Sequence, residues 1–161
     1  MSKKPNTLKR LPGDLSREEL IDRIIRVDQA GEYGAVRIYE GQLSVLGKSD
    51  KADVIAHMHS QEVEHLDTFS KLVAKRRVRP TALMPLWHLA GFALGAGTAM
   101  MGEKAAMACT VAVEEVIDEH YAQQVKKLDE MGSDETELRD TCEQFRLEEL
   151  QHRDTGLEHG A

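Results

Sequence analysis

Two pairs with the spacing Glu-x-x-His stand in the sequence, Glu62 with His65 and Glu149 with His152. On a helix that three-residue step puts both side chains on one face, where a carboxylate and an imidazole can grip the same metal ion. A further glutamate precedes each pair at the distance of one helical hairpin, Glu32 before Glu62 and Glu114 before Glu149. Gathered together, four carboxylates and two imidazoles demand cations, because each buried carboxylate costs several kcal/mol and like charges repel. Two divalent ions neutralise four carboxylates, and mixed carboxylate–imidazole ligation suits iron or manganese better than a structural zinc. One Glu-x-x-His pair would mean little, since chance supplies about one in a chain with seven histidines. Two pairs, each on an apolar stripe and each preceded by a stripe glutamate, are not a chance pattern.

The stripes define the helices that must carry these residues. Ile21, Ile25, Asp28, Glu32, Ala35, Tyr39, Gln42 and Leu46 recur at three and four, the inward face of a first helix. After a turn at Gly47–Asp50, a second helix aligns Ile55, Met58, Glu62, His65, Phe69 and Leu72 and ends before Pro80. A third, about Glu103 to Met131, aligns Met107, Val111, Glu114, Asp118, Tyr121, Val125 and Leu128, with Glu115 turned outward. The fourth, about Asp134 to Asp154, aligns Leu138, Cys142, Phe145, Glu149, His152 and Gly156, with Ser133 and Asp134 as capping candidates and Glu148 pointing elsewhere. Two such hairpins about a pseudo-twofold axis make an all-α, ferritin-like four-helix bundle with a long crossover between helices two and three. Asp28 and Asp118 are the carboxylates placed to hold the outer nitrogens of His65 or His152, and Tyr121 lies two turns beyond Glu114.

Composition agrees with this reading. The 161 residues are 41% hydrophobic but only 4% aromatic, as a core of aliphatic helices requires. A net charge of -7 excludes a nucleic-acid binder with a broad basic face. Cys109 and Cys142 form no C-x-x-C pattern and read as reduced core thiols. Residues 1–19, polar and interrupted by Pro5 and Pro12, are expected to form a flexible arm ahead of a single domain over 20–161.

Residues 82–101, ALMPLWHLAGFALGAGTAMM, carry no charge and follow the basic run KRRVR. Length makes the segment a transmembrane candidate, yet spanning would put the two ligand hairpins on opposite sides of a bilayer. The segment is therefore expected to be the crossover, packed on the bundle through Gly91, Gly95 and Gly97 and dipping into one leaflet. Lys75, Arg76, Arg77 and Arg79 would then meet anionic head groups.

The runs DQAGEYGAVRIYEGQ, QEVEHLDTF, RPTALMPLWHLAGFALGAGTAMMG, ACTVAVEEVIDEHY and FRLEELQHRDTGLEHGA resemble the demethoxyubiquinone hydroxylase family of ubiquinone biosynthesis, over nearly everything from residue 20 onward. The resemblance implies a peripheral membrane mono-oxygenase that hydroxylates the ring of a polyprenyl demethoxyubiquinone or its quinol with O2 and external electrons. It implies two Fe ions per chain on Glu32, Glu62, His65, Glu114, Glu149 and His152, NADH or the quinol as reductant, and His120 and Tyr121 as relay positions. A lipid-binding accessory protein of the pathway and a second copy of the chain are left open as partners. The expected location is the cytoplasmic face of a bacterial inner membrane, or the matrix side of a mitochondrial one. Family members commonly run on past GLEHGA into another apolar helix, so this chain, ending at Ala161, is expected to be cut short.

Two rival functions share the ligand pattern. A ferritin-like iron-binding or ferroxidase protein would form a large shell without an exposed apolar segment, and a membrane scaffold would hold metal without turnover. The C-x-x-C iron module of rubrerythrin-type peroxidases is missing from the sequence, and so is a Gly-rich dinucleotide fingerprint.

Overall fold

The computed structural model describes residues 11–161, the side chain of Ser133 apart. Five α-helices follow in order: α1 (Arg17–Leu46), α2 (Ala52–Arg76), α3 (Met84–Met100), α4 (Glu103–Met131) and α5 (Thr136–Glu158), with a one-turn 3-10 helix at Ser133–Glu135. Of the expected N-terminal arm, residues 1–10 lie outside the described part. The remainder gives way to α1 at Arg17, earlier than the stripe alone indicates, because Ser16 and Glu19 close a capping box. Ser16 Oγ accepts from the Glu19 amide at 3.1 Å, while Glu19 Oε2 accepts from the Ser16 amide at 2.6 Å.

Directions follow from the cross-contacts. Tyr39 meets Met58, and Arg26 on α1 donates to the Arg79 carbonyl beyond α2, so α1 and α2 are antiparallel. Arg146 pairs with Asp118, and Gly156 abuts Met107 and Val111, so α4 and α5 are antiparallel too. Between these hairpins α3 is the crossover. It runs parallel to α1, with Gly91 against Gly34 and Gly95 against Ile38. This is the expected four-helix bundle with its apolar crossover formed as a helix.

The contact between α1 and α3 is very close. A Cβ on Gly95 would lie 1.9 Å from the Ile38 carbonyl oxygen, and one on Gly41 would lie 2.3 Å from that of Phe92. Only glycine permits backbones to approach like this. The expectation for Gly97 is corrected: it faces open space, and Gly41 on α1 takes its place in the seam. Arg37 also clasps the outside of the seam, donating to the His88 carbonyl and lying 4.9 Å over the Phe92 ring.

Two apolar layers close the bundle. One joins Ile21, Ile25, Phe69, Tyr121, Leu128, Leu138, Cys142 and Phe145. The other joins Tyr39, Leu46, Ile55, Met58, Ala99 and Met107. The capping expectation at the α4–α5 corner also needs correction. Glu135, not Asp134, precedes the first residue of α5, and Asp134 instead lies 3.4 Å from Arg17. The 3-10 turn takes up the residues that the stripe assigned to the start of the last helix.

Candidate metal centre

Between the two apolar layers, α1, α2, α4 and α5 aim Glu32, Glu62, His65, Glu114, Glu149 and His152 at one another. All six are buried, none more than 2% exposed. Their ligand atoms fall into two overlapping sets, Glu32–Glu62–His65–Glu149 and Glu62–Glu114–Glu149–His152, each with its atoms within 4.8 Å of one another. Glu62 and Glu149 belong to both sets. The pseudo-twofold arrangement therefore gives each half one glutamate and one histidine of its own, with two shared carboxylates between.

Both histidines turn Nδ1 inward. His65 Nδ1 lies 3.0 Å from Glu149 Oε1 and 3.6 Å from Glu32 Oε2. His152 Nδ1 lies 3.0 Å from Glu62 Oε1 and 3.1 Å from Glu149 Oε2. Electrostatics show how short of positive charge the cluster is. Burial, reinforced by the charge of Glu149, pushes Glu62 and Glu114 well above the usual carboxylate range. Burial alone would lower the His65 imidazole, but the adjacent carboxylates of Glu149 and Glu32 override it and raise the ring to about 11. Burial would likewise raise Glu149, but His152 and His65 hold it down at about 2.

The donor set fits a pair of divalent cations. Glu32 Oε2, both oxygens of Glu62, His65 Nδ1, Glu114 Oε2 and Glu149 Oε1 are buried without a hydrogen-bond partner. Buried polar atoms are nearly always satisfied, so a convergent group of orphans is a site for something positively charged. The surroundings hold the ligands still. Tyr39 Oη donates to Glu114 Oε1 at 2.6 Å, and the Tyr121 hydroxyl donates to Glu32 Oε1. His65 Nε2 bonds Glu148 Oε2 at 2.6 Å, and His152 Nε2 bonds Gln61 Oε1 at 3.0 Å.

Those last contacts overturn two expectations. Asp28 and Asp118 do not hold the histidines: Asp28 is engaged by Gln124 and Cys142, and Asp118 by Arg146. Glu148, expected to point elsewhere, does hold one. The residue before each Glu-x-x-His reaches across the α2–α5 interface, which a helix-by-helix stripe does not reveal. Tyr39 stood on the stripe without a role, although its place seven residues after Glu32 repeats that of Tyr121 after Glu114. Of the relay positions, Tyr121 is 2% exposed and touches Glu32, whereas His120 faces solvent beside it.

An apolar groove leads to this cluster. A cavity of about 740 Å³ runs between α1, α3 and α4, lined by Gly34, Ile38, Leu94, Ala108, Val113 and their neighbours. A second, of about 350 Å³, shares Gly31, Trp87, Val116 and Ile117 with it and ends on Asp28, Glu32, His120 and Tyr121.

Residues 19–161 match the family described as ubiquinone biosynthesis protein COQ7. The chain belongs to that family. It is 63% identical over 153 residues to the 3-demethoxyubiquinol 3-hydroxylase of Rhodospirillum rubrum, covering 94% of this chain and 71% of that one. It is 58% identical over 142 residues to the rat NADPH-dependent 3-demethoxyubiquinone 3-hydroxylase, mitochondrial, covering 88% and 65%. Against the 5-demethoxyubiquinone hydroxylase, mitochondrial, of Saccharomyces cerevisiae it is 46% identical over 153 residues, covering 86% and 66%. The chain thus spans roughly two thirds of the length of such relatives, and their names side with a hydroxylase over a ferritin-like iron store.

Proposed function

We propose that this chain hydroxylates the ring of a polyprenyl demethoxyubiquinone or demethoxyubiquinol, with two iron ions held by Glu32, Glu62, His65, Glu114, Glu149 and His152. The observation that carries the reading is the apolar groove ending on Glu32 and Tyr121, because it joins a lipid-accepting surface to the carboxylate cluster. Iron bound there would supply the redox chemistry that activates O2, which no side chain can.

The chain's own residues supply the rest. Gly31, Ile38, Leu94 and Val113 line a path that admits an isoprenoid tail and excludes water. Tyr39 and Tyr121 fix the orientation of Glu114 and Glu32. Glu148 and Gln61 fix the planes of His65 and His152. His120 and Tyr121, at the groove's inner end, are the groups placed to pass protons between solvent and Glu32. Electrons come from outside the cluster. The family resemblance implies NADH or the quinol itself as reductant, and the rat relative's name points to NADPH.

Incubation with a short-tailed demethoxyubiquinone, reductant and heavy-isotope O2 should give a hydroxylated ring carrying one labelled oxygen by mass spectrometry. A product whose oxygen comes from water would sink the assignment. Glu62→Ala, which removes a carboxylate common to both halves, should abolish iron loading measured by elemental analysis, and retained loading would overturn the ligand set.

A further inference from the structure

The pseudo-twofold relation between the hairpins pairs more than the ligands. Tyr39, one stripe repeat after Glu32, donates to Glu114, and Tyr121, at the same step after Glu114, donates to Glu32. Gln61 and Glu148 are paired in the same way, each standing immediately before a Glu-x-x-His and each reaching the histidine of the opposite half. Here the chemistry is unequal. His65 meets a carboxylate oxygen at 2.6 Å, whereas His152 meets a neutral amide oxygen at 3.0 Å.

Glu148 is also the better anchored of the two. Its other oxygen accepts from Gln144 Nε2 at 3.0 Å, so its position is set by α5 as well as by the histidine. The ring it holds is stacked on Phe145, with centroids 3.9 Å apart. A carboxylate on the far nitrogen of a metal-bound imidazole orients the ring and strengthens the near nitrogen as a ligand, and loss of such a partner typically costs about 10–100-fold in metal affinity. Glu62 and Glu149 serve both halves, so the clearest difference between the halves lies in the residues that are not shared.

We propose that the two halves of the centre are inequivalent, and that the Glu32–His65 half takes a divalent cation before the Glu114–His152 half because Glu148 holds His65. Glu148 and Gln61 are then positioning residues that set the order of filling. The inference rests on the six-ligand reading and goes beyond it. Shared glutamates alone would produce two binding steps, since a first ion repels a second. The diagnostic is therefore which half fills first and how much of the gap belongs to Glu148.

Mn(II) titrated into the whole metal-free chain, with free ion read from its aquo EPR signal, tests this without any turnover. The wild type should bind two ions per chain with the first step at least about tenfold tighter. Glu148→Gln should weaken the first step by about 10–100-fold, and Gln61→Glu should tighten the second, narrowing the gap from the opposite side. Glu114→Ala should keep the tight step, and Glu32→Ala should lose it. An unchanged first step in Glu148→Gln, an unchanged second step in Gln61→Glu, or a tight step that disappears with Glu114 instead of Glu32 would overturn the proposal. Two ions bound in no order would overturn it while leaving the ligand reading intact, whereas fewer than two ions in the wild type would overturn both.

Discussion

Asp28 lies one turn before Glu32 on α1, buried to 4% exposure at the inner end of the groove. Burial pushes its carboxyl well above the usual range, the Gln124 hydrogen bond opposes the rise, and the charge of Glu32 adds to it. Gln124 Nε2 donates to one oxygen at 2.5 Å, the Cys142 thiol faces the other, and Tyr121 stands within electrostatic reach. Because the folded-state pKa is above the unfolded one, the folded chain keeps a proton that the unfolded chain sheds above about pH 4. This group's contribution is therefore largest at low pH and declines as pH rises towards the folded value. In metal-free protein, Asp28→Asn should flatten the fall of stability over the pH range above about 4, by up to about 1.4 kcal/mol per pH unit relative to wild type. Urea titrations across that range check it, and parallel pH profiles for the two proteins would refute it. The burial of Asp28, like that of all six ligands, was legible in the stripes, since a polar residue among apolar ones at helical spacing must face inward. Its partners were not legible. Gln124 comes from α4 and Cys142 from α5, and which of them meets α1 depends on how helices lie against each other.

Helices α1 and α3 are held together mainly by what is missing from them. Gly95→Ala would drive a methyl group to 1.9 Å from the Ile38 carbonyl oxygen, so the two backbones must separate. Overpacking of this kind should cost about 3 kcal/mol. Gly97→Ala on the same helix meets nothing within 4 Å, and alanine's higher helix propensity should stabilise the protein by about 0.5–1 kcal/mol. Chemical denaturation of the two variants should move the midpoint in opposite directions, and equal shifts would remove the close seam as the explanation. The sequence stripes gave the faces of α1, α2, α4 and α5 because apolar periodicity records what each helix buries. They gave the ends less well. The start of α5 at Thr136 is decided by a 3-10 turn, and the end of α2 by Arg77, which takes a left-handed φ of 55° while Val78 closes back onto Val73. The helix α3 has apolar residues on every side, so periodicity could not say which glycines face α1.

That all-round apolar character shapes the molecule's outer surface. Leu86, Leu89, Met100 and Met101 are 57%, 71%, 77% and 78% exposed, and Trp87 stands at the junction of the two cavities. Exposed apolar area of this extent marks a surface that something else covers. Among the described residues no helix is long and apolar enough to cross a membrane. Because α3 is tied to α1 along its length and turns these apolar side chains outward, we propose that this face rests on one leaflet. Arg77 and Arg79, exposed where α2 leads towards α3, would add about 1 kcal/mol each against anionic head groups. Replacing Leu89 and Met100 together by glutamate should abolish co-sedimentation with anionic vesicles, because two charges would enter the apolar boundary. Neither side chain lines the groove or touches the carboxylate cluster. Turnover of a short-tailed, water-soluble quinone should therefore survive in that variant, while turnover of a long-tailed quinone embedded in vesicles is lost. Undiminished vesicle binding would show that this face does not dock on lipid. Loss of both activities would instead place Leu89 and Met100 in the catalytic fold and overturn the proposed separation of membrane docking from ring chemistry.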